Sequence, residues 1–235
     1  MGGLYHKNCT LPHFSTQSQL TTTFVQVTQP APEQNEQDCE EFRTLINTHF
    51  CPEQLVFADE SDFNWLTLRQ PYMWSLHGEC ACQYEFSLHG TKYSILPAIS
   101  PDSILHLDVL ENAITGTDFW QFVQGLLLRM NKWPIPHSVL IIDNASIHKV
   151  AGICEMVEER SACLLYLPIY SPDFNPIELA FLTIKVWLCT NCDCMNWELK
   201  SGDGTVYSTF WEAVDLVTAE HAKGWYKHCR YTVPK

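Results

Sequence analysis

The apolar residues of this chain gather in short runs bounded by polar turns. Val139-Leu140-Ile141-Ile142 is one, with Pro134 and Pro136 before it and Asp143-Asn144 after it. Four apolar residues in succession between turn signals mark a strand buried on both faces. Leu55-Val56-Phe57-Ala58 has the same form and ends at Asp59, and Cys163 to Leu167 is a third such run. The segment from His148 to Arg160 predicts a helix, so Ser138 to Leu167 reads as strand, helix, strand. That is a βαβ unit, with parallel strands and a right-handed crossover. Asp143 then stands at the carboxyl end of a central strand, where open α/β sheets place their ligands. Beyond the third run, Pro176 suits the first turn of a helix with Asn175 as its N-cap. Glu178 therefore falls in the first turn of a helix running to Leu188. Thirty-four residues separate Asp143 from Glu178, yet this folding brings both to one sheet edge.

Elsewhere the pattern is mixed. Asp38 to Phe50 predicts a short helix, with Phe42, Leu45 and Ile46 on one side. Cys82–Leu88, Tyr93–Ser100 and Ile104–Glu111 predict three antiparallel strands, with turns at Gly90 and Pro101-Asp102. Thr117 to Met130 predicts a helix capped by Thr117, whose stripe of Phe119, Phe122, Val123, Leu126, Leu127 and Met130 is core. Ser208 to His228 predicts one long amphipathic helix. Glu60 and Asp62 fall in a loop after the first strand; they are alternative carboxylates for a site at that strand end, with the solvated-loop reading preferred. Residues 1–37 lack apolar periodicity and are rich in Thr, Gln, Ser and Pro, which predicts an extended or disordered lead-in. The pattern alone gives a mixed α/β class.

Composition adds constraints. With 235 residues, 46 % of them apolar and 12 % aromatic, the chain can build a sizeable core. Its formal charge is −13, with only 14 Lys and Arg. From Glu33 to Asp62 the one basic residue is Arg43, among nine acidic ones. A chain so acidic is expected to bind DNA weakly, without sequence preference, and to lose it at physiological salt. A partner, or the rest of a larger protein, would supply a positive surface. The 11 cysteines are odd in number, and no apolar signal core or run of membrane-spanning length is present. This predicts an intracellular, reducing compartment with packed thiols. Cys189, Cys192 and Cys194 form C-x2-C-x-C, a zinc candidate with Cys229 or a His as fourth ligand. No second C-x2-C answers it, so thiols are preferred.

The motif Asp143-Asn144-Ala145-Ser146-Ile147-His148-Lys149, followed by Tyr170-Ser171-Pro172-Asp173-Phe174-Asn175-Pro176-Ile177-Glu178, resembles the catalytic region of mariner-like transposases, within the DDE superfamily endonucleases. Phe57-Ala58-Asp59-Glu60-Ser61 resembles the family's earlier F-x-D-E-S run. The resemblance spans roughly Pro52 to Leu188. It implies a ribonuclease H-like α/β fold, a mixed five-stranded sheet flanked by helices. It also implies a division into an N-terminal segment 1–40, a catalytic domain 41–190, and a C-terminal loop and helix 191–235. Asp59, Asp143 and Glu178 would be the catalytic carboxylates and would hold two Mg²⁺ or Mn²⁺ ions. The implied reactions are phosphodiester hydrolysis and strand transfer to a DNA 3′-hydroxyl, in the nucleus if the source is a eukaryote. DNA is the implied partner, with a homodimer or another protein supplying binding surface.

Several features depart from that family or stay open. Met73 stands where the family has a Gly before Trp74-Ser75, and Arg230 stands where a Gly often precedes the final Tyr. No stretch has the basic helical pattern of a helix-turn-helix module. Asn144 is expected to hold the turn after its strand. His148 is a candidate DNA phosphate contact or proton-transfer group, or else packs at a helix start. Lys185, two helical turns past Glu178, is a candidate DNA contact or a solvated lysine. The surviving carboxylates favour an active endonuclease, while the acidic charge favours a catalytically quiet derivative or interaction module. The motifs disfavour an RNA-cleaving nuclease. Three converging carboxylates repel one another without metal, so Asp143→Asn is expected to leave the metal-free protein as stable as the parent or more so.

Overall fold

The two runs expected at the sheet centre lie side by side. In the computed structural model, which describes residues 35–63, 92–191 and 206–231, β1 (Leu55–Ala58) pairs in parallel with β5 (Val139–Ile142). β5 pairs in parallel with β6 (Cys163–Tyr166) on its other side. β3 (Tyr93–Ile99) runs antiparallel to β1, and β4 (Ile104–Glu111) antiparallel to β3. A short β2 (Ser61–Phe63) continues along the edge of β3 already used by β1, in the same register. The six strand segments thus form five rows, one of them interrupted at Asp59 and Glu60. In that register the residue facing Asp59 is Pro97, which has no N–H to contribute to a ladder.

Alternate side chains of these strands enter two cores on opposite faces, as the period of a strand requires. Leu55, Phe57, Ile95, Ile99, Val139 and Ile141 share one core with α1 (Glu36–His49), α4 (Ile177–Thr190), α5 (Val206–Asp215) and α6 (Ala219–His228). Val56, Ala58, Leu96, Ala98, Leu140 and Ile142 share the other with α2 (Gly116–Leu127) and α3 (Ile153–Glu159). The described residues therefore build three layers, helices, sheet and helices, with β1 and β5 buried at the centre. Among the described residues no helix is long and apolar enough to cross a membrane.

One polar tie crosses the first core. The fully buried Tyr226 places its hydroxyl 3.0 Å from the carbonyl oxygens of Leu55 and Ile99, where β1 meets β3. Its one proton serves two acceptors that water cannot reach. Tyr226→Phe is expected to cost about 1–3 kcal/mol, the range for stranding a buried polar group. Urea unfolding checks this; a change below about 0.5 kcal/mol, the scatter of neutral substitutions, would show the tie to be idle.

Where the structure departs from the pattern, caps and backbone signs explain it. α2 starts at Gly116 because Thr115, not Thr117, caps it. The Thr115 hydroxyl oxygen accepts from the Asp118 N–H at 3.3 Å, and Asp118 Oδ2 accepts from the Thr115 N–H at 2.8 Å. That is a reciprocal capping box. The helix expected over His148 to Arg160 is shorter. A 3-10 turn occupies Ser146–His148, and Gly152, at φ 95°, sets a break before α3. The long C-terminal helix is two helices, because the Thr218 side chain accepts from the His221 N–H at 3.3 Å and starts α6. α1 begins at Glu36, with Asn35 as its cap. Asp62 is not in a loop but within β2. The strand expected at Cys82–Leu88, Met73 with Trp74-Ser75, and Cys192 and Cys194 of the zinc candidate lie outside the described residues. Cys51, Cys154, Cys163 and Cys229 form no disulfide.

Candidate active site

The register of the central strands places the first two carboxylates. β1 and β5 pair through Ala58 and Ile142, so Asp59 and Asp143 each stand one residue past the end of neighbouring parallel strands. Neighbouring strands lie about 4.8 Å apart. The third carboxylate arrives by the loop after β6. That loop passes through a 3-10 turn at Pro172–Phe174 and enters α4 at Pro176, whose φ of −64° and ψ of −17° are already helical. Glu178 lies in the first turn of α4, as the cap residues predict. Asp59, Asp143 and Glu178 together line one cavity of about 340 Å³, with Asn144, Tyr170 and Asn175 among its other walls. Tyr170 is exposed on the rim, at a left-handed φ of 54°, a conformation uncommon for residues other than glycine.

The carboxylates differ in environment. Asp59 is 8 % exposed. Its Oδ1 accepts from the Glu60 N–H at 2.8 Å and its Oδ2 from the Asn175 side-chain amide at 2.8 Å. Burial, and then the charges of Asp143, Glu60 and Glu178, push its pKa up to about 8; the Glu60 N–H offsets this only in part. Without a cation, the site favours the protonated form of Asp59. Asp143 behaves oppositely. Burial raises its pKa, but hydrogen bonds from His148 and from the Ala145 N–H, together with the His148 charge, bring it below the usual carboxylate range. The Ala145 bond, to Oδ1, is 3.0 Å long. Burial raises the Glu178 pKa; the charge of Lys185 lowers it and that of Asp143 raises it.

His148 is not at the surface. It is fully buried, so its ring presents no surface to a DNA phosphate. Its Nδ1 contacts Asp143 Oδ1, and its Nε2 lies 2.7 Å from Glu60 Oε2. With a carboxyl group at each ring nitrogen, both N–H groups of an imidazolium would find an acceptor. Burial lowers the pKa, but the two carboxylate hydrogen bonds and charges outweigh it and raise it to about 10. The ring lies 4.3 Å from that of Phe119 on α2. Lys185 is exposed on α4, with its ammonium 5.5 Å from the centre of the Phe63 ring.

Two contributors escaped the sequence pattern. Glu60 reads as an alternative site carboxylate or, by preference, a solvated loop one, and Asn175 as a cap. Asn175 Oδ1 does lie 3.4 Å from the Ile177 N–H, but its amide nitrogen also orients Asp59. The only available signal for Glu60 was its place next to Asp59 in Asp59-Glu60-Ser61.

The profile of the family described as DDE superfamily endonuclease matches residues 54–194, more than half of the chain. The chain belongs to the DDE superfamily endonucleases. Comparison with curated proteins gives no match. Among solved structures, this DDE endonuclease resembles a Mos1 transposase paired-end complex with left transposon end, at 14 % identity over 91 % of this chain and 69 % of that one, TM-score 0.53. It resembles the Mos1 mariner paired-end complex with Mn at 13 % identity over 90 % and 67 % of the two chains, TM-score 0.54. For the Mos1 strand transfer complex the figures are 14 %, 92 %, 67 % and 0.52. At these identities the likeness is one of fold, a ribonuclease H-like mixed sheet between helices. Among the described residues no group of three or more His, Cys, Asp or Glu is drawn closely enough to hold a metal ion as it stands; the three carboxylates surround a cavity instead.

Proposed function

We propose that this DDE endonuclease cleaves and joins DNA strands, with Asp59, Asp143 and Glu178 as its catalytic carboxylates. One observation carries the reading. Three carboxylates from three separate elements line one cavity, and the buried one among them is so poorly compensated that its pKa rises to about 8. Their donors are hard oxygens, the type that suits Mg²⁺ or Mn²⁺, and a cation there would take the place of the Asp59 proton. When bound, two such ions would stabilise the attacking and leaving oxygens of an in-line displacement at phosphorus. The attacking group would be water for nicking and a DNA 3′-hydroxyl for joining. The Mos1 structures are named as complexes with a transposon end, with Mn, and of strand transfer, which supports the same assignment by fold.

The chain's own residues prepare the site. Asn175 and the Glu60 N–H orient Asp59, while His148 and the Ala145 N–H hold Asp143. Lys185 offers a cation on the helix that carries Glu178 and is our candidate for a DNA phosphate contact. The catalytic domain spans residues 41–190, from within α1 to the end of α4, and the later helices pack on the same core. The charge of −13 leaves little positive surface for DNA, so a partner, or the rest of a larger protein, supplies it, in the nucleus if the source is a eukaryote. That charge also favours the competing reading, a quiet derivative. Incubating supercoiled plasmid with the chain in Mn²⁺, against a chelator control, separates the two. Metal-dependent conversion to open circles is expected; plasmid that stays supercoiled under all metal conditions would favour the quiet derivative.

A further inference from the structure

We propose that Glu60 and His148 form a buried strut that ties the tip of β1 to the tip of β5 and fixes Asp143 for its ligand. The inference rests on the proposed role of Asp143. His148 is a positioning residue, since it touches Asp143 and not the cavity.

The geometry is specific. Glu60 Oε2 lies 2.7 Å from His148 Nε2, and His148 Nδ1 contacts Asp143 Oδ1. The ring cannot swing, because it is fully buried against Phe119 at 4.3 Å. The Ala145 N–H donates to the same Oδ1 at 3.0 Å. Two donors therefore claim Oδ1, which leaves Oδ2 as the oxygen for a ligand. Glu60 also acts on the other aspartate, for its backbone N–H donates to Asp59 Oδ1 at 2.8 Å. One residue thus sets both strand-end aspartates, Asp59 by its main chain and Asp143 by its side chain through His148. The β1–β5 ladder ends at Ala58 and Ile142; past that point this relay ties the two tips. Glu60 is not among the cavity walls, so its carboxylate serves His148 rather than the ligand. Groups that orient a metal ligand from behind commonly change metal affinity 10–100-fold when removed.

The test is Mn²⁺ binding by the full chain, read as the Mn²⁺-dependent rise in melting temperature, with no DNA present. Glu60→Ala and His148→Ala are each expected to raise the half-saturating Mn²⁺ concentration at least ~10-fold. The double variant should be no worse than His148→Ala alone, since both changes cut one relay. Glu60→Gln should recover most of the loss, because its carbonyl oxygen still accepts from Nε2. Glu60→Asp, charged but too short to reach the ring, should not; it also serves if the alanine variants fail to fold. Parent-like Mn²⁺ affinity in Glu60→Ala or Glu60→Asp, with the response abolished by Asp143→Asn, would overturn the strut and leave the site reading standing. Equal losses in Glu60→Gln and Glu60→Ala would make Glu60 a ligand and overturn it too. No Mn²⁺ response in the parent would remove both.

Discussion

In chelator at pH 8, Asp59→Asn is expected to melt several degrees above the parent and to lose most of the parent's decline in stability between pH 5 and pH 8. The Asp59 pKa rises from 3.8 to about 8 on folding, through burial and then the charges of Asp143, Glu60 and Glu178. The folded chain therefore keeps a proton that the unfolded chain has released. A group raised in this way contributes stability that is fully present below its unfolded value and is lost as pH climbs to its folded value. One such group changes stability by about 1.4 kcal/mol per pH unit in that window. An amide has no proton to lose, so the variant escapes this decline. Even if relaxation removes half of it, the gain at pH 8 exceeds about 2 kcal/mol, which is several degrees in a domain of this size. His148, raised to about 10, also loses stability above its ordinary value of 6.5, but it does so in both proteins and drops out of the comparison.

The new amide is also accommodated. Its oxygen can accept from the Glu60 N–H, and its NH₂ would face Asn175. The Asn175 amide can turn over to present its oxygen; its NH₂ then faces the Ile177 N–H in place of a 3.4 Å hydrogen bond, a cost smaller than that of the charge removed. Saturating Mn²⁺ should flatten the parent's pH dependence in the same way, because a cation replaces the proton. Paired melts across pH in chelator decide the matter. A variant that melts with the parent or below it at pH 8 would mean that Asp59 is adequately compensated and that the charge argument for the site is wrong.

Much of this was legible before any coordinates. The βαβ unit, the strand ends at Asp59 and Asp143 and the first-turn position of Glu178 follow from apolar runs bounded by turn residues, signals that are local and strong. The interrupted row was not legible, because it depends on Pro97 facing Asp59 across a partner strand. The break in the last helix hung on a single Thr218 cap within an unbroken amphipathic pattern. His148 was misplaced for a related reason. A histidine beside Lys149 in a motif suggests phosphate, and nothing local reveals that Glu60, 88 residues earlier, will meet it in the interior. That unseen partner also reverses an expectation about Asp143. Repulsion among the three carboxylates does exist, but it raises Asp59 and Glu178, while the hydrogen bonds and charge of His148 lower Asp143.

Asp143→Asn is accordingly expected to melt below the parent in chelator at pH 7, the opposite sign to Asp59→Asn, while losing metal-dependent nicking at least ~100-fold. The same chemical change is made at two aspartates one residue past paired strands, so the sign isolates their surroundings. Asp143 accepts from a fully buried imidazolium. Asparagine keeps an acceptor but removes the charge, and His148 is left with Glu60 alone. Hydrogen bonds to charged groups contribute about 1.5–3 kcal/mol against about 1 kcal/mol for an ordinary one, and the difference, about 1–2 kcal/mol, is the size of the loss expected. Its pH signature follows from the shift. The Asp143 pKa is lowered on folding, so its contribution is present above the ordinary value of 3.8 and fades as pH falls through the lower folded value. The gap between parent and variant should therefore be full at pH 7 and close in acid, whereas the Asp59→Asn gap opens toward alkaline pH. Activity should fail in both variants, because each removes one of the carboxylates proposed to hold the cations. Melts of the two variants from about pH 2 to about pH 8, beside plasmid nicking in Mn²⁺, measure all of this. An Asp143→Asn protein as stable as the parent at pH 7 would deny the His148 pairing, and one that still nicks plasmid would deny Asp143 its place in the site.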